Sequence, residues 1–175
     1  TCIVANQNSP QQSVVAGPTA DIARLEVRLT ETQISFRRLP VATAFHSAAV
    51  SDACAPFEKF LKKVPFAAPA VPVFGNSTAQ PYAADSKSLR PALAAQLAQP
   101  VRFAEQLRNM HAAGGRIFVE VGAGNVLSGL VRQTLGDACL AAETGPGARM
   151  IGQVTVQHLE RNALAGVVVL GGEYP

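Results

Sequence analysis

No apolar stretch in these 175 residues approaches the roughly eighteen needed to cross a bilayer, and the longest candidate, Ala163 to Leu170, is interrupted by Gly166. No membrane partner is expected. The opening Thr-Cys-Ile-Val-Ala lacks an initiator methionine, a basic n-region and a cleavage site, so it reads as a cut edge rather than a signal peptide or a native start. Neither sign of charge dominates: fifteen Lys and Arg against twelve Asp and Glu leave +3, without the dense basic stripe that displaces counterions from nucleic acid. Nucleic acid is not the expected partner. Cysteine is scarce: Cys2, Cys54 and Cys139 are odd in number, far apart and free of CxxC spacing. That argues against a disulfide framework and against a zinc site, so no metal is expected, and a reducing, cytoplasmic setting fits best. There is no internal repeat, and no GxSxG string that would mark a nucleophile elbow.

What is present is 48% hydrophobic residues, enough for a substantial core in one domain or a domain plus a small subdomain. Cys2 to Ala5 and Gln12 to Ala16 are β-prone runs joined by the turn-favouring cluster Asn6 to Pro10. A helix is expected from Pro18 to about Thr30, with Ile22, Leu25 and Leu29 on one stripe and Thr19 or Asp21 as cap; Ile34 to Leu39 reads as a strand. From about Ser47 the apolar positions Ala53, Cys54, Phe57, Phe60 and Leu61 repeat at helical spacing, which makes Cys54 a core residue, and Pro65 closes that helix. The Ala/Pro-rich stretch from Pro65 leads into a strand at Val71 to Phe74. Ser86 can cap a helix ending near Leu97, and Pro100 suits the first turn of a helix with Ala104, Leu107 and His111 inward. After Gly114-Gly115, Arg116 to Val121 is a buried strand and Asn125 to Leu135 a helix with Val126, Leu127, Leu130 and Val131 inward; a last helix covers Met150 to Ala165, with His158 structural. Alternating helix and strand implies an α/β fold with a parallel sheet, preceded by a small α+β layer.

Three places carry candidate chemistry. Gly122-Ala-Gly124-Asn-Val-Leu127 follows a strand and opens a helix, but Leu127 stands where the dinucleotide fingerprint needs its third glycine and no acidic ribose ligand follows. The alternative is a tight turn whose glycines allow φ > 0, leaving helix N–H groups free. Phe74-Gly-Asn-Ser77-Thr-Ala79 nearly satisfies an elbow, yet Gln80-Pro-Tyr82 does not suit the helix that an elbow requires, so Ser77 reads as a turn residue. His46 lies between a strand-like segment and a helix, well placed for a cleft; by itself it reads first as a helix-capping or satisfied core histidine, because a base needs a nucleophile within reach. The basic clusters Arg37-Arg38 and Lys59 with Lys62-Lys63 are either a surface for an acidic partner or ordinary solvated faces.

Five strings taken in order carry a family resemblance: Val4-Ala-Asn-Gln-Asn-Ser-Pro10 with Val14 to Gly17; Leu39-Pro-Val-Ala-Thr-Ala-Phe-His-Ser47; Phe74 to Tyr82; Gln96-Leu-Ala-Gln-Pro-Val-Arg-Phe103; and Phe118 to Leu127. Together they resemble malonyl-CoA:acyl carrier protein acyltransferases over nearly the whole chain. The Ala-Phe-His-Ser form and the trailing Leu164-Ala-Gly166-Val are similar to acyltransferase domains of type I polyketide synthases, iterative ones among them.

The resemblance implies a C-terminal part of that domain. Residues 1–41 would belong to a ferredoxin-like small subdomain, 42–145 to an α/β-hydrolase-like large subdomain, and 146–175 to a trailing helix and post-acyltransferase segment. His46 matches the general base and Gln96 the glutamine whose backbone carbonyl orients it. Thr43, Phe45 and Asn6 fall at the acyl site, where a bulky Phe45 favours malonyl over an α-branched group. The family's nucleophilic serine, its malonyl-binding arginine and its oxyanion-hole glutamine would all precede Thr1, so this chain alone would be inactive. Ala123 departs from the proline usual in the family's Gly-Pro-Gly turn. No permanently bound cofactor is implied; malonyl-CoA is the substrate and the phosphopantetheine arm of an acyl carrier protein the acceptor. The carrier protein, the preceding part of the domain and neighbouring synthase domains would be the partners. A rival reading is a non-catalytic carrier-protein docking module that relies on the basic clusters.

Overall fold

A computed structural model describes residues 1–40, 44–83, 85–121, 124–143 and 167–171. They group into two compact units, Thr1–Gln7 with Ser13–Arg102, and Asn8–Gln12 with Phe103–Pro175. Neither boundary falls at residue 41.

In the first unit, β1 (Ile3–Ser9) pairs with β2 (Gln12–Ala16). The turn expected over Asn6 to Pro10 shrinks to Pro10-Gln11. Asn6 and Gln7 stay extended because a distant segment pairs with them. The Gln7 N–H donates to the Val101 carbonyl and the Val101 N–H to the Ala5 carbonyl, both at 2.8 Å, which makes a parallel bridge between Asn6 and Val101. Tertiary pairing here outweighs the turn preference of asparagine. Helix α1 (Thr19–Glu31) has Pro18 at its cap position with no side-chain cap, so neither Thr19 nor Asp21 serves there. Its Ile22, Leu25 and Leu29 stripe is only half-buried.

The strand expected at Ile34 to Leu39 does not form: the segment is irregular, with Ile34 55%, Phe36 46% and Leu39 41% exposed. β-prone residues make a strand only against a partner, and no described residue pairs with them. Helix α2 (Ser51–Leu61) follows a 3₁₀ turn, Ala48–Val50, whose cap is Ser47. Within α2, Leu61 is buried and Cys54 and Phe57 are half-buried, but Ala53 and Phe60 face outward, contrary to the expected stripe. Helix α3 (Ser86–Ala95) packs on α2 and runs into a 3₁₀ turn, Gln96–Ala98. Its cap is Asp85, not Ser86: the carboxylate accepts the backbone N–H groups of Lys87 and Ser88, and the hydroxyl of Ser88 leads the bonds that hold its pKa below the usual value. Arg90 ties the two helices by donating to the carbonyls of Leu61 (3.0 Å) and Val64 (3.2 Å) while lying over the Phe66 ring. Between them, Val71 to Phe74 contributes only an isolated bridge, Phe74 to Pro81, at the base of a tight loop rather than the expected strand.

The second unit holds α4 (Phe103–Ala112), β3 (Ile117–Val121), α5 (Val126–Leu135), β4 (Leu140–Glu143) and β5 (Val167–Gly171). The strands form a parallel sheet in the order β4-β3-β5, with Phe118 opposite Ala141 and Val168. This is the expected parallel α/β arrangement, and the continuous apolar run of β3 reflects it: Ile117 and Phe118, which point to opposite faces, are each 1% exposed. Helix α4 begins at Phe103, so Pro100 lies ahead of its first turn, and its inner face is Phe103, Ala104, Leu107 and Met110. His111 is half-buried, with Nε2 3.3 Å from the Ala138 carbonyl oxygen. In α5, Leu130 and Val131 are inward while Val126 is 69% exposed, contrary to expectation. The helix expected at Met150 to Ala165, with His158, lies outside the described residues. Among the described residues no helix is long and apolar enough to cross a membrane.

Candidate active site

His46 occupies the loop ahead of the 3₁₀ turn Ala48–Val50, in the left-handed region at φ 59°. A non-glycine side chain there costs of order 1–3 kcal/mol and persists only where its surroundings hold it. Two contacts do so, both to the end of α3. The His46 N–H donates to the Leu97 carbonyl at 3.0 Å, and ring Nδ1 lies 3.2 Å from the Gln96 carbonyl oxygen. Ser47, buried beside it, donates its hydroxyl to Ala44 and accepts the Ala49 N–H, which fixes the next residue as well.

The acceptor at Gln96 comes from helix geometry. Carbonyls in the last turn of a helix have no intrahelical partner and carry the negative end of its dipole. The Gln96 oxygen accepts the Gln99 N–H at 3.3 Å within the 3₁₀ turn, which leaves a lone pair for the imidazole. Because a carbonyl only accepts, the Nδ1 contact requires Nδ1–H, and the neutral ring then presents its basic lone pair at Nε2. Among the described residues no hydroxyl bonds to Nε2. The ring is half-buried, and its neighbour Phe45 is 63% exposed.

Gln96 is held by its other end too: its amide oxygen accepts the Tyr82 hydroxyl at 2.7 Å. Tyr82 closes the Gly75–Gln80 loop, with its N–H donated to Val73 at 2.8 Å. Sequence reasoning assigned Tyr82 no role at the site: it figures there only as the end of the Phe74 to Tyr82 string and as unsuited to a helix. The available signal was Gly75 seven residues earlier, since a side chain there would collide with the Tyr82 ring. Of the other expected site residues, Asn6 is half-buried on β1 and bonded to neither His46 nor Gln96, and Thr43 lies outside the described residues.

Comparison with known proteins gives the family to which the chain belongs. A family model for the acyl transferase domain matches residues 1–168. The chain belongs to the acyl transferase domain family. A relative in polyketide biosynthesis, the protein ThaF of Burkholderia thailandensis, is 37% identical over 147 residues, which are 83% of this chain and 12% of ThaF. The crystal structure of malonyl-CoA:acyl carrier protein transacylase from Xanthomonas oryzae superposes with a TM-score of 0.77 at 28% identity, covering 83% of this chain and 46% of that one. A malonyl-transacylase solved in complex with its acyl carrier protein of a type II polyketide system superposes at 0.74 with 27% identity, over 83% of this chain and 47% of that one. This acyl transferase chain shares a mixed α/β fold with those malonyl-CoA:acyl carrier protein transacylases and spans about half the length of the solved transacylases it matches.

The remaining candidates of the acyl transferase chain settle as follows. Ser77 sits in a turn, and the next helix in the chain starts only at Ser86, so the strand-turn-helix of an elbow is absent. Gly124 adopts φ 95°, but the N–H groups of α5 are not free as expected. Glu120, 2% exposed, accepts from Leu127 N–H at 3.2 Å and Ser128 N–H at 2.8 Å, and so fills the position a phosphate would take. Glu120→Ala should lower unfolding free energy by about 1.5–3 kcal/mol, measured by urea denaturation, because it strips the carboxyl acceptor from one buried and one part-buried donor. Of the basic clusters, Arg38 is paired twice with Glu26 and Lys62 with Glu58. All three cysteines are free thiols, and the described residues hold no cluster of three or more metal-ligating side chains.

Proposed function

We propose that residues 1–175 supply the base and part of the cleft of a ping-pong malonyl transferase, whose nucleophilic serine lies on polypeptide outside this segment. The serine oxygen attacks the thioester carbon of malonyl-CoA while Nε2 of His46 takes its proton; the imidazolium returns that proton to the departing coenzyme A thiolate. The phosphopantetheine thiol of an acyl carrier protein then gives its proton to His46 and attacks the acyl-serine, and the serine leaves with the proton. The observation that carries the reading is the His46 ring aligned on the Gln96 carbonyl. A neutral acceptor keeps the productive tautomer without adding charge, in place of the carboxylate of a hydrolase triad.

Phe45, Thr43 and Asn6 belong to the acyl site in this reading. Residues 1–41 form part of a ferredoxin-like small subdomain, 42–145 part of an α/β-hydrolase-like large one, and 146–175 the trailing segment. The carrier protein and adjoining synthase domains are the partners, and the cytoplasm the setting. A solved transacylase–carrier protein complex among the similar structures supports the choice of acceptor.

The test offers the full-length protein equal malonyl-CoA and methylmalonyl-CoA with a holo carrier protein. Intact-mass analysis should show mainly malonyl-carrier protein, by about tenfold or more as one methyl group allows, and no product on the apo carrier. Release of free malonate without transfer to the holo carrier would reject the transferase reading.

A further inference from the structure

We propose that Tyr82 is a positioning residue for this base: by holding the Gln96 side chain, its hydroxyl keeps the Gln96 carbonyl aligned on Nδ1 of His46. The inference rests on the assignment of His46 as base. Helix ends fray, and within the 3₁₀ turn at Gln96–Ala98 the Gln96 carbonyl accepts, besides the histidine, a long 3.3 Å bond from Gln99 N–H. A peptide plane held that loosely rotates, and rotation misdirects the oxygen that selects the tautomer. The Tyr82 contact at 2.7 Å is the shorter bond and anchors the same residue from its side chain.

Tyr82 is itself fixed from two sides. Its backbone N–H is donated to Val73, and its ring lies against Gly75, where an added Cβ would come within 2.8–3.0 Å of the ring Cζ, Cε1 and Oη atoms. Only glycine leaves room for the ring in that position. Burial pushes the phenol above its usual pKa, so at neutral pH it stays a hydrogen-bond donor. The chain of contact is therefore Gly75, Tyr82, the Gln96 amide, the Gln96 carbonyl and the imidazole.

In the full-length protein, Tyr82→Phe keeps the ring packing and removes the hydroxyl, while Gln96→Leu keeps the backbone carbonyl and removes the anchor. Each should lower the single-turnover acylation rate at saturating malonyl-CoA by roughly 3- to 10-fold, the scale of one hydrogen bond, with KM unchanged. The double variant should be no slower than the slower single variant, as expected of one shared contact. By nitrogen-15 NMR, a His46 Nδ1–H signal is expected in the parent protein and should broaden by faster exchange in both variants. Wild-type rates and an unaltered signal in both, with His46→Ala inactive, would overturn the role of Tyr82 and leave the base assignment standing. Losses that multiply in the double variant would also overturn it. Full activity of His46→Ala would instead remove the reading on which it rests.

Discussion

In the full-length protein, His46→Ala should slow formation of the malonyl-serine intermediate by about two to four orders of magnitude, the usual contribution of a positioned base. Rapid-quench measurement with labelled malonyl-CoA isolates that step from transfer to the carrier. The substitution deletes the ring and its Nδ1 contact to Gln96 but retains the backbone bond from residue 46 to Leu97, so the loop keeps one of its two tethers. Alanine can occupy the left-handed backbone region, as Ala79 does at φ 57°. Loss of rate with unchanged thermal unfolding thus isolates the imidazole's chemistry. Acylation at the parent rate would reject His46 as base.

Residues 1–175 alone should transfer no malonyl group, even when correctly folded by circular dichroism. The reasoning is chemical: a base without a nucleophile accelerates nothing that a thiol in water would not do unaided. Ser77, the one serine in a partial elbow string, lies in a turn followed by no helix until Ser86, so it lacks the helix that directly follows the serine of an elbow and helps bind the oxyanion. Turnover by this segment together with fluorophosphonate labelling of Ser77 would overturn the placement of the serine elsewhere. Recovery of activity on adding the preceding polypeptide would support it.

How far such a site can be read in advance depends on what each residue answers to. Ile117 and Phe118, both apolar and adjacent, advertise a strand buried on two faces, and the parallel pairing of β3 follows that pattern. Ile34 to Leu39 has equally good β-propensity, yet with no partner strand among the described residues it stays irregular. Asn6 and Gln7 fail in the other direction, drawn into a strand by Val101, almost a hundred residues away. Glu120 looks like one polar residue in an apolar strand; nothing local says that its carboxylate reaches the first N–H groups of the following helix.

For the site itself, His46 and Gln96 were paired through resemblance and not through spacing, since fifty residues of separation imply no distance. Tyr82 escaped notice because its role depends on a loop bringing it back over Gly75 and onto a helix end. Local rules thus determined the helices α1 to α5 to within a few residues and the parallel α/β character, because periodicity, caps and glycines act over a handful of neighbours. Only the folded chain decided which carbonyl meets Nδ1, which side chain steadies that carbonyl and which helix N-terminus is already filled. Each of those contacts joins residues set far apart, or on separate elements, and its direction depends on how those elements pack.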